Sequence, residues 1–196
     1  MDDDIQAHSS HSHEPDTWFY YIDDSDLIVN VSATWESFAA ANEGLPECSF
    51  SALQGKPILS QFSDAETRMI YSKIFKKVRS AQRVISFLIH CDALDTIRHL
   101  EASIIPLPHQ FLKVQFKLVN EIKRDPAIVQ KLCNTDDNII TMCSYCGDLK
   151  NSKGQWQPIE QEITARDFFQ HPALPKISHG ICPDCSNNFL NSINLA

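Results

Sequence analysis

Four cysteines fall in two C-x-x-C pairs, Cys143/Cys146 and Cys182/Cys185, with 35 residues between the pairs. Two residues between thiolates let one tight turn aim both sulfurs at one point. Two such turns brought together complete a four-sulfur tetrahedral shell, the donor set of Zn²⁺. The predicted ligands are Cys143, Cys146, Cys182 and Cys185, holding one structural zinc ion. Gly147 directly follows Cys146, where such a turn needs φ > 0. His179 stands three residues before Cys182 and could replace a thiolate or donate a hydrogen bond to one. Four thiolates already close the shell, so the hydrogen-bonding role is expected. A closed shell has no position for substrate, which argues against a metalloenzyme.

Other chemistries of paired cysteines fit less well. Cys182-Pro-Asp-Cys185 is spaced like a thioredoxin-type redox pair, but no strand–helix–strand context surrounds residue 182, and a second matching pair has no role there. Haem attachment needs a histidine directly after the second cysteine, where Gly147 and Ser186 stand. Two structural disulfides would need an oxidising compartment, and nothing in the sequence points to one.

Bulk properties narrow the function further. At 196 residues the chain has room for one medium domain and a small appendage. No apolar run approaches a membrane span, and Met1-Asp-Asp-Asp4 is the opposite of a basic signal-peptide start. With further thiols at Cys48, Cys91 and Cys133, the cytoplasm is the predicted location. The net charge of −8 is concentrated at the start: residues 1–16 carry −5, residues 17–122 carry −2 and residues 123–196 carry −1. A duplex-binding module shows a basic stripe, so nucleic acid is disfavoured as a partner. The five glycines form no phosphate-cradling motif, and no G-x-S-x-G or H-E-x-x-H occurs, so no enzymatic activity is expected.

The elements that must position the cysteines follow from pattern. Residues 1–16 read as a disordered tail; its His8, His11 and His13 could grip a transition metal but lack a scaffold. Trp18–Ile22 and Leu27–Val31 are β-rich runs separated by Asp23-Asp-Ser-Asp26, a hairpin signal. Ser32 can cap a helix through about Asn42. Ser63-Asp-Ala-Glu66 is a capping box opening a helix to about Ser80, with Ile70, Ile74 and Val78 on its apolar stripe. Three strands follow, 83–91, 96–107 and 110–122. His90 lies on the first of them, and a structural role outweighs a ligand role for it, as for His99, His109 and Cys91. Asp92 and Arg98 could form an ion pair at the strand turn. The order is that of an α+β domain, an antiparallel sheet with helices on one face. Residues 123–138 form a linker with a short helix near Ala127–Leu132, and residues 139–196 form the four-cysteine module. There a strand, Ile139–Met142, enters the first knuckle, Lys150–Gln155 reads as a turn, Trp156–Ile163 as a return strand or a helix start, Thr164-Ala-Arg-Asp167 as the start of a helical turn, and a final helix opens at Cys182 or Pro183.

Residues 17–122 resemble a PAS-type sensor domain. The resemblance is carried by Leu27-Ile-Val-Asn-Val31 feeding Trp35-Glu-Ser-Phe38 and Ala41-Asn-Glu-Gly44, then Leu53-Gln-Gly-Lys56, the long helix and the three closing strands. His90-Cys-Asp92 with Arg98, and Ile105-Pro-Leu-Pro108, are similar to a bacterial PAS-like group that carries a C-terminal Cys-rich segment. That segment resembles Cys-Ser-Tyr-Cys at 143–146, Trp-Gln-Pro-Ile-Glu at 156–160 and Ser-His-Gly-Ile-Cys-Pro-Asp-Cys at 178–185. The resemblance implies a PAS-like sheet with an unidentified ligand between sheet and helices, followed by a zinc-ribbon-like module. It also implies a non-enzymatic sensory role with a protein signalling partner, and it allows a homodimer. Two alternatives stay open: a redox switch through the zinc-bound thiolates, and a nucleic-acid-binding regulator.

Overall fold

Alternating burial starts at Thr17. Strand β1 (Thr17–Ile22) buries Trp18, Tyr20 and Ile22 and turns Phe19 and Tyr21 outward, the period-two signature of a half-covered sheet. It pairs antiparallel with β2 (Ile28–Val31). In the turn between them the Asp23 carboxylate accepts the Ser25 and Leu27 N–H groups at 3.0 and 2.8 Å, which is how Asp replaces a backbone partner in a turn. Strands β3 (Ile85–His90), β4 (Thr96–Pro106) and β5 (Leu112–Lys123) complete an antiparallel sheet of order β2-β1-β5-β4-β3. The register Tyr20↔Val114 and Val114↔Ile104 places these buried residues on one face.

The computed structural model describes residues 16–194 apart from 43, 63, 92, 94, 134 and 168–172. Residues 1–15 with their three histidines, Ser63 of the expected capping box, and Asp92 as a partner for Arg98 lie outside the described residues.

Helices α1 (Trp35–Ala41), α2 (Phe50–Leu53) and α3 (Ala65–Ala81) connect β2 to β3. The expected cap at Ser32 is spent elsewhere. Its hydroxyl accepts the Phe19 N–H at 3.2 Å and lies 2.9 Å from the Thr34 hydroxyl, so Ser32 ties β1 to the loop and α1 starts at Trp35. Helix α3 is capped by Asp64, whose carboxylate accepts the Thr67 N–H at 2.7 Å and the Thr67 hydroxyl at 2.6 Å. Ile70, Ile74, Phe75 and Val78 form its buried stripe and meet Tyr20, Ile22, Ile104, Leu112 and Val114 in one apolar cluster. Each fully buried side chain of this size contributes about 1.5–3 kcal/mol, so the α3–sheet contact dominates this half of the molecule.

After α4 (Pro126–Cys133) a second sheet forms from β6 (Thr135–Cys143), β7 (Leu149–Lys150), β8 (Trp156–Gln157) and β9 (Leu174–Gly180), in the order β8-β7-β6-β9. Helix α5 (Ile159–Ala165) follows β8, and α6 (Pro183–Asn194) closes the chain. The strand expected from Ile139 begins at Thr135. Between β7 and β8 the Asn151 side-chain oxygen accepts the Lys153 and Gln155 N–H groups at 3.0 and 2.9 Å, and Gly154 sits at φ +78°. The β6–β9 pairing is parallel, so the sheet is mixed rather than a plain antiparallel ribbon. The chain is therefore α+β, an antiparallel sheet with helices followed by a smaller sheet that carries the cysteines. Among the described residues no helix is long and apolar enough to cross a membrane.

Candidate metal centre

The parallel pair positions both knuckles. Strand β6 ends on Cys143 and β9 ends on Gly180, and these two residues are register partners, so the two turns leave the sheet side by side. In the first turn the Cys143 N–H reaches the Asp148 carbonyl at 2.8 Å and the Gly147 N–H reaches the Cys143 carbonyl at 3.0 Å. Gly147 closes the turn at φ +81°, a conformation that a side chain disfavours. The Ser144 N–H donates to the Gly180 carbonyl at 3.0 Å and clamps one turn to the other strand. In the second turn Cys182 precedes α6 and Cys185 lies in its first helical turn, with the Ser186 N–H on the Cys182 carbonyl at 2.9 Å. A helix N-terminus favours the thiolate form.

All four Sγ atoms lie within 4.8 Å of one another. The Cys146 and Cys182 sulfurs are 3.8 Å apart, which matches the edge of a zinc–thiolate tetrahedron, about 3.8 Å for bonds of about 2.3 Å, and is far beyond a disulfide bond. Two sulfurs also receive backbone N–H groups: Cys182 donates to Cys143 Sγ at 3.3 Å, and Cys185 donates to Cys182 Sγ at 3.4 Å. Burial alone would raise the Cys143 thiol. The N–H groups of Cys146, Cys182 and Tyr145 outweigh it and hold its pKa below the ordinary thiol value. Burial raises Cys146 well above that value, helped by the Cys143 and Cys182 sulfurs, and raises Cys185 to about 12, helped by Cys182 and Cys143. Four sulfurs at this separation cannot all be thiolates without a cation between them. Cys143 and Cys182 are buried, Cys185 is half-buried and Cys146 is exposed.

The other predicted residues are placed as follows. His179 lies on β9 opposite Met142 with its side chain exposed, and the hydrogen bonds on the sulfurs named above come from backbone N–H groups. His90 and His99 face each other across β3 and β4 with rings 4.5 Å apart, edge to face. His109 sits in an exposed turn at φ +58°. Arg98 pairs with Glu121 at 2.9 Å and donates to the Asn42 side chain at 2.7 Å. Residues of the centre and its neighbours join it to the first half of the molecule. Cys143, Ile181 and Cys182 belong to the same buried cluster as Ile70 and Phe75. The Phe189 ring of α6 lies 4.9 Å from Phe87 of β3 and 6.0 Å from Tyr145 of the first knuckle. Phe189 is recognisable in the sequence only as an apolar position of the last helix.

No known family model matches the chain. No curated protein matches it either. Among solved structures the chain is similar to a domain of an HTR-like protein from Haloarcula marismortui, at TM-score 0.39 and 12% identity, over 53% of this chain and 98% of that one.

Proposed function

We propose that Cys143, Cys146, Cys182 and Cys185 hold one structural Zn²⁺ in a PAS-type, non-enzymatic signalling protein of the cytoplasm. In this reading residues 17–122 sense a ligand or bind a protein partner, and the cysteine module steadies or relays the response. The observation that carries it is the convergence of four sulfurs on one point beside the sensor-like sheet, with a 3.8 Å sulfur–sulfur edge and N–H groups aimed at two of them. The antiparallel sheet with helices on one face supports the PAS-type reading. When bound, zinc supplies a fixed crosslink between the knuckles, and such a link stabilises a module too small to hold itself together. The chain's own residues set the geometry: Gly147 shapes the first turn, Ser144 ties it to Gly180, and α6 presents the second pair.

Elemental analysis and an absorption spectrum of the reduced protein test the metal. One zinc per chain and no visible absorption are expected; protein without stoichiometric zinc, or with an iron–sulfur spectrum, overturns the assignment. Replacing Cys143 and Cys146 by alanine should raise hydrogen exchange in residues 139–190 more than in 17–122. Equal loosening of both would contradict a local staple. A second reading, a redox switch, draws on the exposure of Cys146 and its short distance to Cys182. Zinc that stays bound under mild peroxide removes it.

A further inference from the structure

A cavity of about 210 Å³ lies in the seam between the two halves. On one side it is walled by Phe62, Ile70 and Tyr71, around α3, and by Ile89 of β3; on the other it is walled by Tyr145 and Ile181 of the cysteine knuckles. Four hydroxyl-bearing residues, Thr67, Tyr71, Ser144 and Tyr145, and two histidines, His90 and His179, are also among its lining. The Thr67 hydroxyl donates to Asp64 at 2.6 Å and the His90 ring lies against His99; among the described residues the side chains of Tyr71, Ser144, Tyr145 and His179 make no hydrogen bond to one another, and Tyr145 and His179 are exposed. Among the described residues no Asp, Glu, Lys or Arg lines the cavity, and the Asp64 carboxylate beside it is engaged by Thr67.

We infer that this cavity binds a small uncharged aromatic molecule bearing a hydroxyl or carbonyl group, and that binding tightens the grip of the cysteines on their ion. The class follows from the lining. A charged ligand would lose water against a described lining that carries no carboxylate, ammonium or guanidinium of its own. Aromatic and aliphatic walls favour a flat apolar body, and the hydroxyls of Tyr71, Ser144 and Tyr145 with the side chain of His179 are the groups available for the few oriented hydrogen bonds that fix it. The volume suits about ten non-hydrogen atoms, well below a drug-sized ligand. The coupling follows from sequence position: Ser144 and Tyr145 are the two residues between Cys143 and Cys146, and His179, Gly180 and Ile181 lead directly into Cys182. A molecule that immobilises these segments favours the arrangement in which the four sulfurs converge, and linkage makes the effect reciprocal. This deepens the sensory reading above, and only the coupling step rests on the zinc.

The test is a titration of the isotope-labelled full chain with 4-hydroxybenzamide, using benzoate and benzylamine as charged controls, read by backbone amide shifts. Saturable shifts are expected at Tyr71, Ser144, Tyr145 and Gly180, with both controls at least ten-fold weaker. Tyr71→Phe keeps the ring stacked on Phe62 and removes one hydroxyl, so it should weaken binding about five-fold. Ile89→Trp, on an edge strand that tolerates the larger ring, should abolish it while the thermal transition persists. No saturable shift at millimolar ligand, equal binding of a charged control, or indifference to both variants overturns the site. Zinc transfer to a colorimetric chelator should slow at least three-fold in saturating ligand. An unchanged rate overturns the coupling, whereas protein isolated without zinc removes the metal reading and leaves the shifts to decide the cavity.

Discussion

At the scale of single residues, the centre depends on one backbone conformation that only glycine adopts freely. Gly147 sits at φ +81° with open space where a Cβ would stand. Gly147→Ala therefore creates no clash, and its cost is the left-handed backbone alone, about 1–2 kcal/mol. If that cost falls on the metal-bound turn, zinc affinity drops roughly ten-fold, measurable by competition with a chelator of known affinity. An unchanged affinity would mean that the turn relaxes to another shape. The four cysteines were legible in the sequence because chemistry restricts both residue type and spacing. Tyr71 and Tyr145 were not, since 74 positions separate them in the chain and only the packing of α3 against the first knuckle brings them to one cavity.

Among the elements, α3 is the one whose start can be tested by acid. Burial raises the Asp64 carboxyl, but hydrogen bonds from Glu66 and Thr67 outweigh it and hold the pKa below the ordinary value. A carboxylate with a lowered folded-state pKa stabilises the fold above its unfolded value, about 3.9, and that contribution disappears as pH falls through the folded value. Asp64→Ala should cost about 1 kcal/mol at neutral pH. Its difference from the parent should shrink towards zero as pH falls below the ordinary carboxylate range and through the lowered folded-state value, as read by denaturant unfolding across pH. Asp64→Asn, also a good cap, should stay close to the parent at neutral pH. A penalty for Asp64→Ala that persists in acid would show that the residue acts through packing instead. Long helices and long alternating strands, such as α3 and β3 to β5, were readable because many positions repeat one period. Strand β9 was not read: Pro175 near its start lacks a ladder donor and argues against a strand, yet β9 is an edge, where that loss is tolerated. The start of α1 was misplaced for a related reason. Ser32 has the chemistry of a cap, and a contact 13 residues back in the chain claimed its hydroxyl.

For the whole molecule, the two halves share one apolar cluster, and Phe189 is a partly buried ring packed against it. Phe189→Ala removes the ring that touches both Phe87 and Tyr145. The ring is only partly buried, so the expected loss is about 2 kcal/mol, below that of a fully buried Phe. Hydrogen exchange should rise in α6 and β9 while the α3–sheet core stays protected. A uniform rise would mean that the two halves unfold as one unit. Whole-molecule relations of this kind, like the parallel pairing of β6 with β9, are not encoded in any local window, and composition and periodicity were silent about them. That pairing has a practical consequence. Both knuckles hang from two neighbouring strand ends, so beyond Asp148, whose carbonyl holds the Cys143 N–H, and β7, which pairs with β6, the chain leading on to β9 supplies none of the hydrogen bonds described on the sulfurs. The bend at Ser152–Gly154 between β7 and β8 is exposed, and exposed loop tips accept foreign sequence well. A fluorescent protein spliced there would sit on a loop whose two ends are pinned by the metal turns, and its brightness could report the state of the centre in living cells.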